Sequence, residues 1–267
     1  MRSLVYFPVL PWLETLQLDS SHHGGPSRIV PQVVSTPLFP NLHTLEFLKT
    51  FLPPVFYRSL LIDCHVPNLT RLTIRDSPDE HQAPYQEILD SLIKGCPKLG
   101  YLEFGILIVD PEWYTEPLRN LQNLTTLHTL RISLDFVIHR EEEHEIFNIG
   151  DILPPRLSAL HLTDIDADEL CDFIETCLVS SLAGDGMKAQ QYPKAMLDSI
   201  ASASSVKHFS LTVLSHYREA ADDNENDLYE VMEAVLHALG GYLDNEHQIN
   251  FQLYRFVKTS SYHRYGE

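Results

Sequence analysis

The chain has 267 residues, 44% of them apolar and 21% charged, and its 37 acidic against 19 basic side chains give a formal charge of −18. That balance supports a packed core and excludes broad electrostatic attraction to nucleic-acid phosphates or anionic membrane surfaces. No apolar run approaches the roughly 18 residues needed to cross a bilayer, and Cys64, Cys96, Cys171 and Cys177 have neither disulfide-framework nor C-x-x-C spacing. A reducing, cytoplasmic or nuclear location is expected.

In chain order, Leu10-Pro11-Trp12-Leu13 leads almost at once into a first strand ending at Leu18. Stacked repeats need a polar cap at each end, so a preceding region or a partner is expected to cover this one. His22 to Pro37, rich in Ser, Gly and Pro, reads as a loop. Phe39-Pro40-Asn41-Leu42 opens a second copy that runs to Phe47, and Pro53-Pro54 then precede a short helix carrying Val55-Phe56-Tyr57 and Leu60-Leu61-Ile62.

The clearest copy is Val66-Pro67-Asn68-Leu69-Thr70-Arg71-Leu72-Thr73-Ile74: an apolar residue, Pro, a polar residue, then Leu-x-x-Leu-x-apolar. Pro84 to Gly95 follows as a helix, with Pro at its start, Ile88, Leu89, Leu92 and Ile93 on one face, and Gly95 as its stop. Cys96-Pro97-Lys98-Leu99 opens the next copy, to Phe104, and Pro111 to Leu121 repeats the return segment more loosely.

A looser copy spans Leu127 to Ile132; His139 to His144 is a charged excursion; Leu153-Pro154-Pro155-Arg156-Leu157 opens a copy ending at Leu162. Asp166-Ala167-Asp168-Glu169 then starts a helix through Leu178, and a second helix is expected over Lys194 to Ala203. Val206 to Leu211 is the last clear strand copy. A helix over Leu228 to Leu239, ended by Gly240-Gly241, precedes a final strand at 249–254, in which Ile249, Phe251 and Leu253 alternate. The tail to Glu267 either is disordered or caps the last coil.

The leading residues of the units are Leu13, Leu42, Leu69, Leu99, Leu127 and Leu157, spaced 27 to 30 residues apart; the step to Val206 is 49 and must hold an insertion at about 164–205. A Leu-x-x-Leu-x-Leu core at this period is the signature of a leucine-rich repeat, one strand and one return segment per coil. The expected fold is therefore a single α/β domain over residues 1–267. It is a leucine-rich-repeat solenoid with a curved parallel sheet on the concave face and helices and loops on the convex face. Its strands are expected near 13–18, 42–47, 69–74, 99–104, 127–132, 157–162 and 206–211.

Strand side chains alternate, so the residues between the repeated apolar ones form columns on the concave face. The first is Thr15, Thr44, Arg71, Tyr101, Thr129, Ala159, His208; the second is Gln17, Glu46, Thr73, Glu103, Arg131, His161, Ser210; the third is Asp19, Leu48, Arg75, Gly105, Ser133, Thr163, Thr212. Near the middle, Arg71, Arg75, Tyr101, Glu103, Arg131 and His161 concentrate charge and aromatic surface. Arg and Tyr are enriched among residues that carry interface energy, which makes these six the candidate site for a protein or peptide partner. Glu103 and Arg131 fall side by side on neighbouring strands, so pairing with each other is their competing use.

Chemical motifs are otherwise absent: there is no Gly-rich phosphate loop, G-x-S-x-G elbow or H-E-x-x-H helix. His22-His23 and the His139 to His144 group lack the spacing of a metal site. No enzyme activity, cofactor or metal is expected.

The irregular repeats and the entrances Phe39-Pro40-Asn41-Leu42, Val66-Pro67-Asn68-Leu69 and Gly95-Cys96-Pro97-Lys98-Leu99 resemble the leucine-rich-repeat region of fungal F-box-type proteins over roughly residues 10 to 215. In that family an F-box docks on the adaptor of a cullin-type ubiquitin ligase and the repeats select the substrate. The resemblance implies a non-catalytic substrate-recognition module, with the adaptor contact carried by a region N-terminal to this chain. Leu10-Pro11-Trp12-Leu13-Glu14 is superficially similar to the Leu-Pro-x-Glu opening of an F-box, but its periodic continuation assigns it to a repeat. The chain departs from many repeats in lacking Asn after the strand: Ser21, Thr50, Ser77, Leu107, Asp135, Ile165 and Leu214 stand there. The alternative is a repeat scaffold, or a truncated repeat protein, with no ubiquitin connection.

Overall fold

Each unit begins as a turn. The N–H of its leading Leu closes on a carbonyl three residues back: Leu13 on Leu10 at 3.1 Å, Leu42 on Phe39 at 3.2 Å, Leu69 on Val66 at 3.0 Å and Leu99 on Cys96 at 3.2 Å. Proline at the second position of these turns presets the required φ. Leu127 on Leu124 and Leu157 on Pro154 close the same way. Because that N–H is spent on the turn, the strand ladder starts two residues after the leading Leu rather than at it.

The computed structural model describes residues 10–19, 39–48, 57–63, 66–76, 85–106, 118–133, 136, 152–166, 200, 205–216, 240, 243 and 248–258. The strands are β1 (Thr15–Asp19), β2 (Thr44–Leu48), β3 (Arg71–Asp76), β4 (Tyr101–Ile106), β5 (Thr129–Ser133), β6 (Ala159–Asp166), β7 (His208–His216) and β8 (Asn250–Lys258). They form one sheet in the order β1-β2-β3-β4-β5-β6-β7-β8, every neighbouring pair parallel. Among the described residues the longest helix, α1, spans Tyr85–Gly95.

The register places the repeated apolar residues in two rows on one side of the sheet. Leu16, Leu45, Leu72, Leu102, Leu130, Leu160, Phe209 and Phe251 pair across the strands, as do Leu18, Phe47, Ile74, Phe104, Ile132, Leu162, Leu211 and Leu253. From β2 to β7 these side chains are essentially buried. Parallel sheets covered on both faces read as continuous apolar runs; here the strand residues alternate, one face apolar and the other polar.

Helix α1 packs on the apolar face. Its Tyr85, Ile88, Leu89 and Leu92 are buried, and the Tyr85 ring meets Phe104 at 5.2 Å and Phe136 at 4.5 Å between centroids. Gly95 is the last helical residue and has no left-handed φ, so it is not a conformational stop. A Cβ there would lie 2.3 Å from the Leu61 carbonyl oxygen; the glycine is needed for the close approach of α1 to the π-helical turn Ser59–Asp63. The short helix expected after Pro53-Pro54 is present over its described part, α-helical at Tyr57 and Arg58 and π-helical over Ser59–Asp63.

Further differences lie downstream. β6 runs through Asp166, which the sequence suggests as a helix start, and a register shift between Leu162 and Ile165 accommodates its extra length. Gly240 is helical rather than a stop, as is Leu243. Leu243 is fully buried, and the bare Cα of Gly240 sits close to the Phe251 ring, which an added Cβ would meet at 3.8 Å. β8 continues to Lys258, four residues beyond the expected final strand. The loop at 22–37, the histidine groups at 22–23 and 139–144, the helices expected over 167–178 and 228–239, and the tail after 258 lie outside the described residues, as does the 194–203 helix except for the helical Ile200.

The polar residue in four of these turns ties neighbouring units together. The Asn41 side-chain N–H donates to the Pro11 carbonyl at 2.6 Å, and Asn68 to Pro40 at 2.7 Å. Lys98 donates to the Asn68 amide oxygen at 2.6 Å, and Thr126 to the Pro97 carbonyl at 3.1 Å.

Among the described residues no helix is long and apolar enough to cross a membrane. Cys96 is buried within its turn, and burial pushes its thiol up to about 12. It behaves as a small hydrophobe, as the sequence suggests.

Candidate functional site

The polar face carries the columns expected from alternation. Thr15, Thr44, Arg71, Tyr101, Thr129, Ala159 and His208 are in register, as are Gln17, Glu46, Thr73, Glu103, Arg131, His161 and Ser210. In the third column Asp19, Leu48, Arg75 and Gly105 pair, as do Ser133 and Thr163, and the register shift in β6 then interrupts the row.

Five of the six candidate residues form one contiguous cluster centred on Glu103 of β4. Glu103 is only 2% exposed. Its Oε1 accepts from Arg75 Nε at 2.8 Å and lies 2.8 Å from Arg75 Nη2 and 3.3 Å from Arg131 Nε. Its Oε2 accepts from the Tyr101 hydroxyl at 2.7 Å. The pairing of Glu103 with Arg131 that the sequence leaves open does form, and Arg75 joins it from the other side. Glu103 is therefore the internal counter-ion of the cluster and offers no carboxylate to a partner, which corrects its expected place on the exposed surface. A buried carboxylate is tolerated only when paired and hydrogen-bonded.

The sheet arranges this convergence. Arg75, Glu103 and Arg131 sit on β3, β4 and β5, and the residue beside Arg75 in β4 is Gly105. A Cβ on Gly105 would lie 3.9 Å from Arg75 Cγ, an ordinary contact, so the Arg75 stem passes beside this position on its way to Glu103. Arg71 lies over the Tyr101 ring, its guanidinium carbon 3.7 Å from the centroid, and its Nε is 4.0 Å from Glu46 Oε1.

Burial, followed by the hydrogen bond to Glu103, pushes the Tyr101 hydroxyl up to about 12. It stays a donor throughout the physiological range. His161 Nδ1 lies 2.6 Å from Ser210 Oγ, a partner that sequence reasoning missed although the second column places the two side by side. Burial first, and the neighbouring Arg131 cation second, lower the pKa of His161. The ring is thereby held neutral and adds no charge to the face.

The polar face is less solvated than alternation alone implies. Thr73, Ser133, Thr163 and Ser210 are all buried. Thr73 lies between Glu46 and Glu103 in its row and between Arg71 and Arg75 along β3, so long side chains surround its short one. The hydroxyls of Thr73 and Ser133 have no hydrogen-bond partner among the described residues.

What reaches solvent is cationic. The side chains of Arg71, Arg75 and Arg131 are 43%, 39% and 40% exposed, against 3% for Glu103. The described residues contain no group of His, Cys, Asp and Glu that could hold a metal ion. No family model matches this chain, and no curated protein matches it.

Proposed function

We propose that this chain is a leucine-rich-repeat solenoid that acts as a non-catalytic protein-interaction module. It binds a protein or peptide across the polar face of its sheet through Arg71, Arg75, Tyr101, Arg131 and His161, with Glu103 holding the arginines in place. The observation that carries this reading is the cluster itself: three part-exposed guanidiniums fixed around one buried carboxylate and one aromatic ring. Pre-ordered arginines lose less side-chain entropy on binding than free ones. The sequential parallel strand order and the one-sided alternation support the solenoid assignment.

The repeat style adds the context of a fungal F-box-type ubiquitin ligase, in which the module selects substrate in the cytoplasm or nucleus. The adaptor contact then lies N-terminal to these residues. A repeat scaffold with no ubiquitin connection would use the same face without an adaptor.

Affinity capture from a fungal lysate tests this, comparing the wild type with Arg71→Ala and with an Arg71→Ala/Arg75→Ala/Arg131→Ala variant. The second variant carries Glu103→Gln as a fourth substitution, which keeps an unpaired carboxylate from being buried. A partner lost from both variants is the expected result. Adaptor subunits recovered with it favour the ligase context, and their absence favours the scaffold. Partners retained equally by all three proteins would remove the face from the account.

A further inference from the structure

The charge on the polar face is unlike that of the chain as a whole. Glu103 supplies one negative charge to two guanidiniums, and both of its oxygens are already engaged. One positive charge is left over on Arg75 and Arg131. Arg71 adds another that Glu46, at 4.0 Å and partly exposed, offsets weakly. Among the described residues Arg131 makes no ion pair besides the one to Glu103, and its side chain is 40% exposed. Arg71 lies over the Tyr101 ring with its side chain 43% exposed, which leaves guanidinium donors for an acceptor.

We propose that this cluster is the docking point for an acidic peptide: an extended segment of a partner protein with at least two Asp or Glu side chains, one held between Arg75 and Arg131 and the other on Arg71. The proposal rests on the binding face described above and specifies the chemistry of its occupant. Two landing points favour a chain over a single compact anion. Arg75 and Arg131 meet at Glu103 Oε1, whereas the Arg71 guanidinium lies over the Tyr101 ring and makes no ion pair to Glu103. An extended peptide rising about 3.3 Å per residue can set one acidic side chain at each point. The net charge of −18 opposes non-specific association of such a segment, which leaves local cationic clusters such as this one to fix where it lands.

The test is fluorescence anisotropy on the whole chain with labelled, unstructured peptides of equal length containing alternating Glu, Gln, Lys or phosphoserine. Glu peptide is expected to bind at least about tenfold more tightly than Gln peptide, and to weaken several-fold between about 50 and 300 mM NaCl. Arg71→Ala, which strands no buried charge, should weaken it about fivefold, and Glu46→Gln should tighten it about twofold. Equal binding of Glu and Gln peptides, or indifference to Arg71→Ala, overturns the proposal. So does phosphoserine-only binding, which would make the ligand a phosphopeptide. Competition separates this proposal from the broader reading. If a captured partner depends on the face but is not displaced by Glu peptide, the acidic occupant is wrong and the binding face stands. If no captured partner depends on the face, the broader reading fails.

Discussion

Leu102 and Glu103 are adjacent in β4 and almost equally buried, yet they are buried in opposite ways. Leu102 faces a row of Leu side chains on the covered side of the sheet, where any apolar residue of the right volume would serve. Glu103 faces the polar side and is buried by Arg75, Arg131 and Tyr101, each of which bonds it. One side of the sheet is held by volume and the other by charge pairing. Removing a neighbour opens a cavity on the first side, whereas on the second it strands a charge.

The largest effect separating the two sides should come from Leu102→Ala, which opens a cavity and should cost about 3 kcal/mol in urea unfolding with no rescue by a polar substitution nearby. Next is Arg75→Ala combined with Arg131→Ala, which strands the Glu103 carboxylate. The guanidiniums are about two-fifths exposed and partly screened, so the loss should be about 2–3 kcal/mol. Adding Glu103→Gln should restore half or more of it. Without that rescue, the polar side would be held by packing like the other.

A smaller change is expected from Asn68→Ala, which removes the bond to the Pro40 carbonyl and the acceptor for Lys98 and should cost about 1 kcal/mol. The smallest effect concerns pH. Folding lowers the pKa of His161 below its usual 6.5, so the folded state favours the neutral ring. The corresponding stability is present above pH 6.5 and is lost as pH falls through the lowered value. The thermal midpoint of the wild type should therefore drop more between pH 7 and 5 than that of His161→Gln; parallel curves would show that the ring contributes nothing.

The apolar side was legible in the sequence because its information is local. Leu-x-x-Leu-x-apolar at a near-constant spacing gives both the strands and their inward faces, and Leu72, Leu102 and Leu130 stand where the pattern puts them. The two-residue offset of each strand start arises because the leading Leu closes a turn, and hydropathy does not register that bond. On the polar side the columns were legible, since register follows from the same spacing. That Arg75 and Arg131 converge on one oxygen, or that Arg71 lies over Tyr101, depends on rotamers. The Asn41 and Asn68 ties were hidden for a related reason: the Pro-Asn-Leu entrance marks a turn in sequence, and only stacked coils bring the Asn within reach of the preceding proline carbonyl.

The most direct test of the central claim is site-specific photo-crosslinking in lysate, with a photoreactive side chain at Thr129, beside Tyr101 on the polar face, or at Lys94, exposed on α1. A binding face on the polar side predicts a protein adduct from the Thr129 position that weakens with Arg71→Ala, and none from Lys94. Adducts from Lys94 alone would contradict it and place recognition on the helical side.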